Sequence, residues 1–329
     1  MALRNEENNI QRLLNELYAQ DYEKENIEFI LINDHSGDKT EAIFKTWIEE
    51  KNTHNFNWAS LDSDKFGKKK AIEKGIEIAS GQYYLFTDAD CTLKSGWVSS
   101  MVLCQQNSNA QMVCAPVVIT HRTLMEKCQS IEFSSLIAVS STSILINKPS
   151  LCNAANFLVE AQSVIKSASI RKDGKLASGD DVFLLHALKK LGKKIVFNRN
   201  EMSEVSTQAI DNWNLFLAQR LRWASKWKSG MEGSNRWLAI AAMAFHLTFM
   251  LGNIFLIFNH NINFFLIAIG LKALAETLFL KPFNTEKSYD KSIGEIWFMQ
   301  IPYSLYVLYF GIKILISNQY VWKERTYQY

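Results

Sequence analysis

The segment IEFILINDHSGDKTEAIFKTWIEEK (Ile27 to Lys51) joins a short apolar run to a stretch with helical spacing. The run from Ile27 to Asn33 predicts a buried strand, which ends at a turn rich in Gly, Ser and Asp. The stretch from Thr40 predicts a helix, and Asp38 with Glu41 has the spacing of a capping box. The segment therefore predicts a strand followed by a helix.

The same pattern continues along the next forty residues. NFNWASLD predicts a second strand, KKKAIEKGIEIAS a second helix that ends near Gly81, and QYYLFTD a third strand. Strands that alternate with helices at this spacing favour right-handed crossovers and a mostly parallel sheet. The predicted class is therefore α/β, with a Rossmann-like sheet and flanking helices.

Acidic residues follow two of these strands. Asp34 comes after the first, and Asp88 and Asp90 come after the third, in FTDAD. Because ligands bind outside the carboxyl ends of parallel strands, these acids are expected to converge. A pair at DxD spacing suits Mg²⁺ or Mn²⁺, which binds through one or two carboxylates and substrate phosphates. Both acids would face one ion in a regular strand, whereas a turn after Asp88 would leave Asp90 as the direct ligand. The alternative is a solvated turn at the end of a strand.

Composition excludes several classes of protein. The chain has 329 residues, 48% of them apolar, and a net charge of +3, which gives no sign of nucleic-acid binding. A dinucleotide-binding dehydrogenase needs a GxGxxG turn, and the sequence has none. Five cysteines without CxxC spacing indicate neither a zinc site nor a disulfide framework, which fits a reducing cytosol.

A second acidic pair, Asp180 and Asp181, directly precedes an amphipathic segment that ends at Gly192. One interpretation is helix capping, by these acids or by Ser178. The GDD motif of polymerases is disfavoured, because that motif lies in a β-hairpin and these acids begin a helix.

A third group of polar residues lies in AQRLRWASKW (Ala218 to Trp227). On a helix Gln219, Arg222 and Trp223 share one face, whereas Arg220, Lys226 and Lys228 point elsewhere. This face would offer an amide, a cation and an indole to one ligand. The alternative is a basic, aromatic helix on a membrane surface.

Taken together, these motifs resemble the inverting nucleotide-sugar glycosyltransferases of family 2, which include cellulose, hyaluronan and poly-N-acetylglucosamine synthases. The resemblance covers about residues 3 to 225 and rests on seven motifs in order: RNEE, NDHSGDKT, GKKKAIEKGIEIASG, FTDAD, NAAN, GDD and QRLRW. It implies a GT-A fold in residues 1–235, with a first strand shortened to Met1 to Leu3.

The resemblance also implies roles for individual residues. Glu6 and Asp34 would border a uridine-type nucleotide, and Lys68 would meet its diphosphate. Asp88 and Asp90 would hold Mg²⁺ or Mn²⁺, with Asp90 as the direct ligand. Asp181 would be the catalytic base that takes the proton of an acceptor hydroxyl. The supporting and acceptor-side residues would be Asp180, Asn156, Gln219, Arg222 and Trp223. Asp180 replaces the family's Glu, and NAAN lacks its usual Gly.

The last hundred residues contain three long apolar stretches. About twenty such residues cross a bilayer, and residues 237–258, 262–280 and 296–316 are the expected spans. Lys272 and Glu276 in the middle span should pair or face neighbouring helices. Lys281, Lys287 and Lys291 favour a cytoplasmic loop, whereas Lys323 and Arg325 argue against that topology. The serine-rich run Ile131 to Ile146 predicts a core or interfacial helix.

The sequence therefore predicts a glycosyltransferase anchored in the inner or plasma membrane, with its catalytic domain in the cytoplasm. It would transfer a sugar from a nucleotide donor, expected to be a UDP-sugar, to a glycan or lipid-linked acceptor. The partners would include membrane lipid and no nucleic acid. The alternative is a membrane-bound sugar-nucleotide-binding regulator that lacks turnover.

Overall fold

The computed structural model describes residues 1–167, 180–225, 233–281, 293–316, 319–322 and 325–328. The predicted alternation of strands and helices is confirmed in its first part, and α2 covers the residues expected from the sequence. The helices and strands up to residue 208, in chain order, are β1 (Ala2–Leu3), α1 (Ile10–Tyr18), β2 (Phe29–Asn33), α2 (Thr40–Lys51), β3 (Phe56–Ser60), α3 (Lys68–Ile78), β4 (Tyr83–Phe86), β5 (Thr92–Leu93), α4 (Trp97–Ser108), β6 (Met112–Cys114), β7 (Val117–Thr120), α5 (Leu124–Leu145), β8 (Phe157–Glu160), α6 (Ala161–Ser167), α7 (Asp180–Lys190), β9 (Ile195–Phe197) and β10 (Val205–Gln208).

The strands form three small sheets in this part of the chain. β1, β2 and β3 are parallel neighbours. A second sheet has the order β4-β8-β6-β9, in which β8 is antiparallel to both β4 and β6 while β9 is parallel to β6. β4, β6 and β9 therefore share one direction and only β8 reverses, so the mostly parallel character is confirmed. A third, small sheet has the order β5-β10-β7.

A cavity of about 570 Å³ lies between β2 and β4. Its walls include Phe29 and Ile30 of β2, the whole of β4, and Ala71 and Gly75 of α3. β2 and β4 belong to different sheets. The residues that follow these two strands are connected by side-chain and loop contacts.

Helix α1 shows how apolar spacing fixes the position of an element. Ile10, Leu13, Leu14 and Leu17 recur at helical intervals, and each is at most 1% exposed. The indole of Trp47 in α2 donates to the Asn15 side chain at 2.8 Å. The apolar face of α1 is thus buried, and its polar face remains available to the residues that follow β4.

Helix α7 packs on the four-stranded sheet. Leu184, Leu185 and Leu188 lie in one core cluster with Met112, Phe157 and Val159 of β6 and β8. Gly192, with φ +65°, follows the helix in the left-handed conformation that glycine adopts readily. This packing fixes the first turn of α7, where the second acidic pair begins the helix.

The compact units divide the chain differently from the expected boundary at residue 235. The first unit comprises residues 1–119 and 139–208, and the second comprises residues 120–138 and 209–329. Ile131 and Ala138 of α5 pack in one apolar cluster with Leu280 and Ile296. This packing places the first part of α5 in the helical unit. The remaining elements are α8 (Trp213–Ser225), α9 (Gly233–Phe258), α10 (Ile262–Leu280), α11 (Ile293–Phe298), α12 (Gln300–Ile316), β11 (Gln319–Trp322) and β12 (Arg325–Gln328).

Among the described residues of the second unit, two helices are long and apolar enough to cross a membrane. They are Trp237–Phe258 and Ile262–Leu280, with 22 and 19 residues. The third expected span, residues 296–316, stays a prediction. A turn at Met299 divides these residues between the end of α11 and the whole of α12. Pro302 lies in the first turn of α12, where its missing N–H costs no helical hydrogen bond. Lys287 and Lys291, which supported the predicted topology, lie outside the described residues, as does Lys323.

Lys272 and Glu276 pair within α10, as the sequence predicted. The Lys272 ammonium donates to Glu276 at 2.6 Å and to the Gln300 side chain of α12 at 2.8 Å. Gln300 in turn donates to Glu276 at 2.7 Å. The charged pair is thereby satisfied by a neighbouring helix, which makes it tolerable in apolar surroundings.

The serine-rich run is helical, within α5, and its hydroxyl groups are largely satisfied by the backbone. Ser134 donates to the Ser130 carbonyl at 2.8 Å, Ser135 to that of Glu132 at 2.6 Å, and Ser143 to that of Ser140 at 2.8 Å. These bonds let a polar sequence form a long helix with buried faces.

Candidate functional site

Acidic residues stand just beyond the carboxyl ends of three strands in the first unit. Glu6 follows β1, Asp34 follows β2, and Asp88 and Asp90 follow β4. The backbone N–H of Asp34 donates to the Leu3 carbonyl at 2.8 Å, so the ends of β1 and β2 are joined directly. The predicted acids therefore lie at strand ends, where parallel sheets bind their ligands.

The loop before α3 connects the end of β2 with the end of β4. Gly67 donates its backbone N–H to Asp34 at 3.0 Å, and the next residue, Lys68, forms an ion pair with Asp88. Gly67 has φ 97°, a conformation that a residue with a Cβ adopts only under strain. Asp34, Lys68 and Asp88 are thus brought together by one glycine turn.

The Asp34 carboxylate is largely enclosed by protein, with the residue only 4% exposed. Its other neighbours are His35, whose Nδ1 lies 3.2 Å away, and Arg4, whose guanidinium lies 3.9 Å away. The N–H of Gly67 satisfies one oxygen. The predicted contact of Asp34 with a nucleotide base stays a prediction.

Asp88 and Asp90 lie outside the strand, in the turn after β4. β4 ends at Phe86, Ala89 and Asp90 form the turn, and the Cys91 N–H donates to the Asp88 carbonyl at 3.2 Å. The chain therefore turns after Asp88, and the two acids do not share one face of a strand. Asp88 is engaged by Lys68. Asp90 is exposed as a residue, but neighbouring protein partly surrounds its carboxylate, which accepts a long hydrogen bond from the Thr207 hydroxyl at 3.5 Å.

The pKa of the Asp90 carboxyl is shifted by its surroundings. The pKa of its carboxyl is raised because surrounding protein reduces its hydration, and because Asp88 and Glu6 are negatively charged neighbours; Lys68 opposes this effect. A divalent cation would relieve this repulsion. Among the described residues no group of three His, Cys, Asp or Glu side chains could hold a metal, so the remaining ligands would be water and phosphate oxygens. Asp90 fits an ion of the Mg²⁺ or Mn²⁺ type.

Saturating Mn²⁺ is expected to stabilise the protein near pH 7 and to do so less near pH 5. Because the pKa of Asp90 is raised in the folded state, ionising it disfavours folding as pH rises, and a cation reverses this cost. A ligand at 100-fold its Kd adds about 2.7 kcal/mol, a rise in melting temperature of about 5 °C or more. Thermal unfolding with and without Mn²⁺ measures the effect. An equal rise in the Asp90→Asn variant would place the ion elsewhere.

Arg12 supports this turn and was not among the predicted site residues. Its guanidinium donates to the carbonyl of Asp90 at 3.2 Å, to that of Cys91 at 2.9 Å and to the Thr92 hydroxyl. Arg12 lies on the polar face of α1, so its spacing indicated only an exposed residue. The contact joins residues about eighty positions apart, and no local pattern reports it.

Asn156 is 1% exposed and bonded to protein on every side. Its side-chain amide donates to the carbonyls of Pro116 at 2.7 Å and Ser203 at 2.8 Å, and its oxygen accepts from the Trp97 indole at 3.0 Å. These contacts fix the ends of β7, β8 and β10. Asn156 thus has a structural role, and its predicted contact with the acceptor stays a prediction.

Asp181 lies in the first turn of α7 and is only 5% exposed. The helix begins at Asp180, as the sequence predicted, and Ser178, the alternative cap, lies outside the described residues. A buried carboxylate on a rigidly packed helix has the fixed position that a catalytic base needs. Its catalytic role, and the supporting role of Asp180, stay predictions.

Gln219, Arg222 and Trp223 belong to α8, in the second unit, and the predicted helix is confirmed. The sequence placed Arg220 away from this group, but the structure does not. Arg220 is 3% exposed, and its guanidinium donates to the Gln219 side-chain oxygen. The Arg220 side chain therefore contacts the group of residues from which it was excluded. Lys226 and Lys228 lie outside the described residues.

The acidic cluster lies in a part of the chain that matches a known protein family. Residues 1–142 match the model of the family described as Glycosyl transferase family 2. Over these residues the chain resembles a family 2 glycosyltransferase domain. The match includes Glu6, Asp34, Lys68, Asp88 and Asp90, whereas Asn156, Asp181 and the α8 residues lie beyond it.

Curated proteins to which this chain is similar include two poly-β-1,6-N-acetyl-D-glucosamine synthases. The Staphylococcus epidermidis protein is 27% identical over 176 residues, which are 53% of this chain and 40% of the relative. The protein of Staphylococcus aureus strain MSSA476 is 29% identical over 173 residues, 52% of this chain and 39% of the relative. The chain thus spans about 40% of the length of these relatives.

A solved structure supports the fold of this chain over a greater length. The mannosyltransferase PcManGT from Pyrobaculum calidifontis, in complex with GDP-Man and Mn²⁺, aligns with a TM-score of 0.56 and 13% identity. The alignment covers 96% of this chain and 85% of that one. It supports the predicted GT-A-like α/β fold.

Proposed function

We propose that the chain is an inverting, metal-dependent glycosyltransferase anchored in a membrane. It transfers a sugar from a nucleotide-diphosphate donor, expected to be a UDP-sugar, to a glycan or lipid-linked acceptor at the cytoplasmic face. The observation that carries the proposal is the acidic cluster at the strand ends, in which Asp90 is exposed and repelled by Asp88 and Glu6. This cluster lies inside the family 2 domain.

The nucleotide would bind along the loops that follow β1, β2 and β4. Glu6 and Asp34 would border the nucleoside, and Lys68 would meet the diphosphate from the first turn of α3, because a helix N-terminus favours an anion. Asp90, with Asp88, would hold Mg²⁺ or Mn²⁺, and the bound ion would neutralise charge that grows on the departing diphosphate.

The transfer would be a single in-line displacement. The acceptor hydroxyl oxygen attacks the anomeric carbon while the bond from that carbon to the phosphate oxygen breaks, and the electron pair leaves with the nucleoside diphosphate. Asp181 takes the proton of the attacking hydroxyl, a role worth about 10² to 10⁴ in rate. Arg222 would stabilise the leaving diphosphate, and Gln219 and Trp223 would support the acceptor sugar.

Attachment to a membrane is supported by the two long apolar helices, Trp237–Phe258 and Ile262–Leu280. The shorter α12 supplies Gln300, which completes the polar contacts of Lys272 and Glu276. We assign these helices to the bilayer, so that the acceptor can be a membrane lipid or a glycan held at its surface.

A panel of donors tests the proposal directly. Purified chain in lipid nanodiscs is incubated with Mn²⁺, membrane lipid extract and UDP-N-acetylglucosamine, UDP-glucose or GDP-mannose in turn, and products are identified by mass spectrometry. UDP-N-acetylglucosamine is the first choice because the curated relatives are named for its sugar, and GDP-mannose because PcManGT was solved with it. We expect transfer from one donor, with inversion at the anomeric carbon visible by NMR. Stable nucleotide binding without transfer or hydrolysis would favour the regulator instead.

A further inference from the structure

Arg220 is a buried cation enclosed by aromatic rings. Its guanidinium carbon lies 4.6 Å from the centre of the Phe216 ring and 4.2 Å from the centre of the Trp223 ring. Both distances fall within the range of a cation–π contact, which strengthens when the pair is removed from water. One face of Trp223 is therefore covered by Arg220.

Glu132 of α5 holds the guanidinium from the other side. Arg220 Nη2 lies 2.6 Å from Glu132 Oε2, and Glu132 Oε1 accepts from the Tyr306 hydroxyl of α12 at 3.1 Å. Both carboxylate oxygens are thus engaged, and three helices meet at one ion pair. A buried pair of this kind is weak evidence for stability, but its partners here restrict the positions that the Arg220 guanidinium can take.

The same guanidinium orients Gln219. Arg220 Nη1 donates to the Gln219 side-chain oxygen, so the oxygen of that amide is taken by protein and its NH₂ group is directed away from Arg220. Trp223 has a further neighbour in Phe133 of α5, with ring centres 5.6 Å apart. Gln219 and Trp223 are therefore both held by contacts with Arg220 or with residues of α5.

We propose that Arg220 is a positioning residue, which sets the orientation of Gln219 and Trp223 through its contact with Glu132. This proposal rests on the proposed function, in which those two side chains meet the acceptor sugar. A displacement of about 1 Å in such groups costs about 10²-fold in rate, so loss of the Arg220 geometry should lower turnover more than donor binding.

Arg220→Lys and Glu132→Gln test the proposal. Lysine keeps the charge but lacks the planar fork that reaches Gln219 and Glu132 together. We expect kcat to fall 10- to 100-fold in both variants, with KM for the nucleotide sugar within about 3-fold of wild type. Tyr306→Phe should give a smaller loss, because it removes one contact to Glu132 and leaves the Arg220 pair intact.

Glu295→Gln is the matched control. It removes the ion pair between Lys127 of α5 and Glu295 of α11. This pair also links α5 to another helix, but the contacts described for it include neither Gln219 nor Trp223. This variant should retain wild-type kcat. The proposal is overturned if both variants lose the same factor in kcat and if that loss follows the fall in melting temperature. Arg220 would then have only a structural role.

A spectroscopic measurement separates this proposal from the transferase activity. The difference between the fluorescence of each protein and that of the same protein carrying Trp223→Phe isolates the Trp223 signal. In Arg220→Lys we expect this signal to shift to the red and to be quenched more strongly by acrylamide, and in Glu295→Gln we expect no change. An unchanged Trp223 signal in Arg220→Lys overturns the positioning role. If wild type shows no transferase activity but the signal shifts, the proposed function fails and the positioning role survives.

Discussion

Replacing Asp181 with asparagine is expected to lower the rate of sugar transfer by about 10² to 10⁴-fold, because the variant lacks a base for the acceptor proton. Asparagine matches the shape of the buried side chain, so α7 should keep its packing on β6 and β8. Donor binding should change little, since the proton moves only when the acceptor attacks. Single-turnover transfer and calorimetric titration of the nucleotide measure the two quantities separately.

Asp62→Asn is the control for this experiment, because Asp62 is a solvent-exposed carboxylate that forms an ion pair with nearby Lys65. This variant should transfer sugar at the wild-type rate. A loss of less than 10-fold in Asp181→Asn, with full donor binding, would exclude Asp181 as the base and move the search to another carboxylate of the first unit.

Replacing Asp90 with asparagine is expected to remove most of the metal-dependent part of nucleotide affinity and to lower turnover by about 10³-fold. A bound ion supplies several kcal/mol of charge stabilisation to a leaving diphosphate, and each 1.4 kcal/mol corresponds to a factor of ten. The loss should exceed that of Asp88→Asn, because Asp88 already has a cationic partner in Lys68. Titrations of UDP with and without Mn²⁺ give the metal-dependent affinity directly.

The Asp88→Asn variant serves as the comparison within the same turn. If it abolishes metal-dependent binding while Asp90→Asn leaves that binding at the wild-type level, the two acids exchange roles and Asp90 is not the direct ligand. Wild-type metal dependence in both variants would remove the cation from this turn altogether.

Much of the first unit could be predicted because its signals are local. The apolar run of β2 ends in a turn, α2 begins where the helical spacing begins, and the acids follow strand ends. Each of these features is decided by residues within a few positions of one another. The direction of β8 was not predictable in this way, because it depends on how α5 returns the chain between β4 and β6.

The contacts that support the site depend on long-range packing, which sequence spacing does not report. Arg12 reaches a turn about eighty residues away, and Arg220 is buried because α5 and α12 cover its side of α8. Helical periodicity correctly grouped Gln219 with Trp223, but it could not show which neighbouring helix would cover the next residue. The interruption at Met299 likewise separates two helices within one continuous apolar stretch.

The ion pair between Lys68 and Asp88 has a consequence for the order in which ligands assemble. As long as the ammonium neutralises that acid, the turn offers less negative charge to an incoming cation. A diphosphate that draws Lys68 toward itself frees Asp88, so nucleotide and cation should each increase the affinity for the other by the same factor. In the proposed function, exchange of one counter-ion would therefore make the two ligands cooperative.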